Sequence, residues 1–163
     1  MGGHAGTYLD ARQTAEVAPR DLAVVIASAR PLLLLGIRGR LEGQVEVVGE
    51  ATSSDDLLAV VRRDRPSILL VDAALPDALQ AAVAARDELP DLAIVFLMST
   101  EESEEGALAV EAVRSGALGV LFEDMDPGRL VPALRDVAAG GSALPRMLVP
   151  RLLDELRRPP AAA

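Results

Sequence analysis

Asp72 is the most conspicuous chemical group in the chain, a carboxylate that directly follows the apolar run Ile68-Leu-Leu-Val71. Similar runs end at Ser28, at Met98-Ser99-Thr100 and at Glu123-Asp124. Carboxylates gathered from neighbouring strand ends can hold a hard cation in an all-oxygen shell, or can cap local amides in a turn such as Asp72–Pro76. Here the first use is weak. Asp124 is expected to point away from Asp72 and Glu123, and Asp126 reads as a helix cap, so no metal is assigned.

Other chemistries are absent by residue count. The chain has no Cys, and its sixteen basic residues are all Arg, so thiolate, disulfide, Schiff-base and P-loop lysine chemistry are excluded. The one His, His4, stands among small residues and is expected to be solvated. Tyr8, Phe96 and Phe122 are the only aromatics, too few for a stacking surface, and the formal net charge of -9 argues against nucleic-acid binding by this segment. The run Glu101–Glu105 is read as acidic residues that complement a helix dipole. Arg62, Arg63 and Arg65 are read as a solvated helix end. No apolar run approaches the ~20 residues of a membrane helix, and a cysteine-free chain suits the cytoplasm.

Five apolar runs must carry these groups: Leu22–Ala27, Val45–Val48, Ile68–Val71, Leu92–Leu97 and Leu118–Phe122. Helical spacing fills the intervals, with starts marked by Pro31, by Ser53 and Ser54 ahead of Asp55 and Asp56, and by Asp126-Pro127. Pro132 places the true start of the last of these helices near Val131, or kinks it. Continuous apolar strands alternating with helices predict an α/β doubly wound parallel sheet, with its ligand edge at the carboxyl ends of the strands. Residues 1–20 read as a tail, 21–141 as one domain, and 142–163 as a linker helix broken by Pro145 and Pro150, then a Pro-Pro-Ala-Ala-Ala end.

An ordered set of landmarks resembles a response-regulator receiver domain of the NarL/FixJ type. They are Pro31, Val47-Val-Gly-Glu-Ala51, Arg65-Pro66 through Asp72 with Leu75-Pro76, Leu89-Pro-Asp91, Gly116-Ala-Leu-Gly119, and Asp126-Pro127 through Gly141. The resemblance implies a flavodoxin-like (βα)5 fold with strand order 2-1-3-4-5, and a phosphoacceptor at Asp72. It also implies an acidic pair for Mg²⁺ at Ser28 and Ala29, a Ser/Thr switch at Met98 or Ser99, and a Lys at Glu123. Only the aspartate remains of that machinery. Mg²⁺ binding is therefore expected to be weak or lost, and the chain is expected to be a pseudo-receiver rather than an enzyme.

The expected partners are a second copy, and a histidine kinase or another regulatory protein. DNA would be reached only through an output domain outside this chain. Leu32 to Leu35 sweep most of the way round a helix, so some must be exposed, and Leu34 and Leu35 are the candidate interface; Leu144–Leu156 folding over them is an alternative. Two other functions stay open: a working phosphoacceptor at Asp72, and a small-ligand sensor whose vacated edge includes Ser28, Ala29, Met98 and Asp72.

Overall fold

The computed structural model describes residues 22–99 and 106–159. The readings placed on residues 1–20, His4, Thr100 and Glu101–Glu105 lie outside the described residues. Five strands form one parallel sheet: β1 (Ala23–Ala27), β2 (Glu46–Ala51), β3 (Ile68–Asp72), β4 (Ala93–Met98) and β5 (Gly119–Phe122). Their order is β2-β1-β3-β4-β5, the doubly wound arrangement expected. Every residue of β3, β4 and β5 is buried, because a sheet covered on both faces has no solvent side for alternate residues.

Helices α1 (Pro31–Leu41), α2 (Ser54–Asp64), α3 (Ala78–Glu88), α4 (Ala107–Arg114) and α5 (Leu130–Ala138) connect or follow the strands. Their starts obey the sequence signals. Pro31 fills the first turn of α1, and the Ser53 hydroxyl accepts the Asp56 amide at 3.1 Å to cap α2. Asp126 caps a 3-10 turn at Pro127–Arg129 by accepting the Gly128 amide at 3.0 Å, and α5 then begins at Leu130 with Pro132 in its first turn.

The sheet divides the core into two layers. Beneath α2, α3 and α4 lie Leu57, Leu69, Val71, Phe96 and Met98; beneath α1 and α5 lie Ile26, Leu70, Leu97, Leu41 and Leu134. Leu34 belongs to this second layer with Ile37 and Leu41. This corrects the expectation that Leu34 is an interface residue: the i, i+3, i+7 spacing of Leu34, Ile37 and Leu41 turns all three toward the sheet. Leu35 does face solvent, together with Leu32.

The C-terminal segment goes elsewhere than over α1. Ala143 forms a parallel bridge with Gly119, donating to the Leu118 carbonyl at 3.0 Å and accepting from the Val120 amide at 2.8 Å, so the linker first extends the β5 edge. After a 3-10 turn at Arg146–Leu148, α6 (Val149–Arg157) lies beside α4, held by buried Leu148 and by Arg114 and Glu155 at 3.5 Å. It therefore leaves Leu32 and Leu35 uncovered, because it sits with the opposite core layer. The basic cluster at the end of α2 is solvated as expected, with Arg62 paired to Glu88 and Arg63 to Asp64. No helix among the described residues is long and apolar enough to cross a membrane.

Candidate functional site

The strand order reverses between β1 and β3, whose carboxyl ends lie side by side: Ala27 is opposite Val71. The next residues outward are Ser28 and Asp72, so the topology alone brings them together at the crevice where such sheets bind ligands. Asp72 is opposite Leu97 of β4, and Glu123 follows β5 with its amide on the Met98 carbonyl at 2.9 Å. Asp72 is only 3% exposed.

A side chain that the strand-end reading did not single out dominates this edge. Arg30 folds back from the start of α1 and grips Asp72 with two parallel bonds, Nε to Oδ2 at 2.8 Å and Nη2 to Oδ1 at 2.9 Å. The same Nη2 also donates to Glu123 Oε1. Ser28 orders the arrangement from below: its hydroxyl donates to Asp72 Oδ2 at 2.7 Å and accepts the Arg30 amide at 3.1 Å. The Ala74 amide adds a bond to Asp72 Oδ1 at 3.0 Å. Each carboxylate oxygen of Asp72 thus accepts two hydrogen bonds from the protein.

The electrostatics follow from that shell. Burial by itself pushes the Asp72 carboxyl up, but the Arg30 guanidinium, the Ser28 hydroxyl and the Ala74 amide outweigh it and hold the group below the ordinary carboxylate range. Arg30 is raised in turn, first by its bonds to Asp72 and Glu123. A folded-state value below the unfolded one gives stability that is fully present above about pH 4 and is lost as pH falls through the folded value. The stability gap between the wild type and Asp72→Asn should therefore be flat from about pH 5 to 8 and shrink below about pH 4. Urea titrations at several pH values would measure it; a gap that widened in acid would contradict this electrostatic account.

The other sequence candidates are placed as follows. Ala29 is exposed and carries no ligating atom, while Met98 ends β4 fully enclosed in the core and Ser99 follows it, half-buried. Leu35 lies away on the outer face of α1. A magnesium ion does not fit the residues present. Its carboxylate ligands would be Asp72 and Glu123, and both are engaged by Arg30, whose charge repels a cation. No group of three or more His, Cys, Asp or Glu side chains suited to a metal occurs among the described residues.

No protein-family model matches the chain. It is 30% identical over 141 residues to an uncharacterized transcriptional regulatory protein, YxjL of Bacillus subtilis, covering 84% of this chain and 63% of that protein. It is 33% identical over 145 residues to a probable transcriptional regulatory protein, NarL of Mycobacterium tuberculosis, covering 86% of this chain and 65% of that protein. The chain thus spans slightly less than two thirds of the length of these curated relatives. The solved signal receiver domain of the putative response regulator NarL from Mycobacterium tuberculosis superposes with a TM-score of 0.66 at 29% identity, covering 73% of this chain and 97% of that one. With the sheet order and the crevice between β1 and β3, these matches support a receiver domain of the NarL-type response regulators.

Proposed function

We propose that this chain is a pseudo-receiver, the regulatory half of a cytoplasmic transcription regulator, whose acceptor crevice is closed permanently by its own Arg30. The observation that carries this reading is the bidentate Arg30–Asp72 pair with its branch to Glu123. Transfer of a phosphoryl group to Asp72 would need a free carboxylate oxygen and a cation to neutralise the incoming oxygens. Both oxygens are saturated, the lowered basicity of the carboxylate weakens it as a nucleophile, and Glu123 adds negative charge where the phosphoryl group would arrive.

Arg30 supplies the charge balance that a metal and a lysine would otherwise give, but as a fixed internal group. Signalling then passes through protein contacts: with a second copy, with a kinase or other regulatory protein, and with a DNA-binding output domain outside this chain. A sensor of apolar metabolites at this edge is disfavoured, since Ser28 and Met98 are fully enclosed and offer no open surface.

The test is a measurement of molar mass by light scattering across protein concentration, with and without Mg²⁺ and beryllofluoride, alongside acetyl phosphate labelling of Asp72. The expected result is no change with beryllofluoride and no acyl phosphate. A mass shift that requires both Mg²⁺ and beryllofluoride, and disappears in Asp72→Ala, would overturn the proposal and restore Asp72 as a switch.

A further inference from the structure

A small groove opens between α1 and the loop that enters α5. Its volume is about 250 Å³, just below the ~300 Å³ at the lower end of small-molecule sites. Leu33 and Ile37 of α1 line one side, Met125 and Leu130 the other, and Leu97 of β4 closes it from the sheet. Ile37, Leu97 and Leu130 are buried members of the core layer beneath α1 and α5, so the groove is an opening into that core rather than a dent in a polar surface. It is separate from the closed edge of Ser28 and Met98, neither of which lines it.

Two further residues of α1 bear on what fills it. Gly36 lines the groove from the middle of the helix, with helical backbone, and a Cβ built on it meets nothing within 4 Å. Neither the backbone nor any neighbour requires glycine there, and glycine weakens a helix interior relative to alanine. What the missing side chain does is leave the groove open. Arg40, one turn on, stands at the end of the groove with its Nε donating to the Pro127 carbonyl at 2.9 Å. That is its one side-chain bond among the described residues, and no carboxylate lies within 4 Å of it. Asp126, close by in sequence to Pro127, is turned to the Gly128 amide at 3.0 Å. Glu123, which also lines the groove, is already matched by Arg30. The groove therefore offers apolar walls, one uncommitted cation and an acid whose charge is answered.

We infer that this groove binds a free medium-chain carboxylate, with the acyl chain against Leu33, Ile37 and Leu130 and the acid group on the Arg40 guanidinium. The apolar walls select the chain by burial, and charge-assisted hydrogen bonds from Arg40 select the acid. The site goes beyond the proposed function, since it needs neither Asp72 nor a metal. It also gives the chain a chemical input beside the clamp, because Glu123 belongs to both.

The test uses sodium octanoate as the probe, titrated into the isotopically labelled full chain at low salt and followed by amide chemical shifts. The expected result is saturable binding, with a Kd of roughly millimolar for so small a ligand, and shifts centred on Gly36, Ile37 and Leu130. Octanamide, uncharged and of the same length, should bind about fivefold or more weakly. Arg40→Gln should remove that preference while leaving the octanamide affinity unchanged. Gly36→Leu should abolish binding of both probes, yet hold or raise Tm, because leucine is the better helix former and has open space there; a folding defect would lower Tm instead. The proposal is overturned by an absence of saturable shifts up to about 10 mM octanoate, by equal affinity of the wild type for the two probes, or by a Gly36→Leu chain that still binds. Binding to phosphatidylglycerol vesicles without binding of free octanoate would equally overturn it, since the occupant would then be a bilayer. A response to Mg²⁺ and beryllofluoride alongside octanoate binding would sink the pseudo-receiver reading and uphold this site.

Discussion

Replacing Arg30 by alanine should destabilise the chain at neutral pH by about 1–3 kcal/mol, which for a protein of this size lowers Tm by roughly 3–10 °C. Removing one partner of a fully buried ion pair costs more, about 3–5 kcal/mol, because the other charge is left without compensation. Asp72 is that stranded charge, at 3% exposure; the Arg30 side chain, at 43%, is in contact with water, and the expected loss is discounted accordingly. Without the guanidinium, the burial that pushes Asp72 up is opposed only by Ser28 and Ala74, so its carboxyl moves up from its lowered position. The deficit of Arg30→Ala should consequently be greatest near pH 7 and smaller in acid, where Asp72 takes up a proton.

Arg30→Lys should recover only part of the loss, because an ammonium cannot match the two parallel bonds to Oδ1 and Oδ2. The double variant Arg30→Ala/Asp72→Asn should be more stable than Arg30→Ala alone, since the stranded charge has gone with its partner. Urea melts of the three variants check this. An Arg30→Ala protein as stable as the wild type would show that the clamp is a surface pair of no consequence.

The second large effect is a gain. A chain with Arg30→Ala, Ser28→Asp, Ala29→Asp and Glu123→Lys leaves Asp72 only the Ala74 amide on Oδ1, supplies the acidic pair that the family resemblance implies, and puts an ammonium at the end of β5. Without metal, three crowded carboxylates, two of them at buried positions, should make this variant less stable than the wild type. Mg²⁺ should rescue it: a ligand that binds only the folded state at about 100 times its Kd stabilises by about 2.7 kcal/mol, or some 5–10 °C in Tm. The wild type should show no Mg²⁺-dependent shift. Thermal melts against Mg²⁺ concentration decide it, and beryllofluoride should add a further rise in the variant alone. Equal responses in both proteins would mean that the Arg30 clamp does not exclude metal.

The sequence made the strands, their parallel order and the location of the crevice readable, because each rests on local signals that agree. Buried parallel strands announce themselves as unbroken apolar runs, and Ser53, Pro31 and Asp126 mark helix starts by their own chemistry. Boundaries moved by a few residues where propensity is weak, as in β2, which extends through Gly49 and Glu50 to Ala51. Ser28, Asp72 and Glu123 could be assigned to one edge because each follows a strand. Arg30 was harder. It lies 42 residues from Asp72 and 93 from Glu123, and nothing local shows a long side chain turning back over the sheet. One clue was present: among the strand-end residues it is the only base beside three acids, in a chain without lysine. For Leu34, four consecutive leucines obscure the phase of the helix, and only the spacing to Ile37 and Leu41 reveals which of them turns inward.

The single bridge between Ala143 and Gly119 also bears on solubility. The two outer strands of the sheet differ in kind. β2 carries Glu46 and Glu50, charges that discourage pairing with a stranger, whereas β5 reads Gly-Val-Leu-Phe and has no charge. Its guard is the main chain of residues 142–144, which occupies the Leu118 carbonyl and the Val120 amide. The stretch after α5 is therefore a gatekeeper. A chain cut at Gly141 would keep every strand and all five helices of the βα units, yet would offer an uncharged ribbon edge as a template for aggregation.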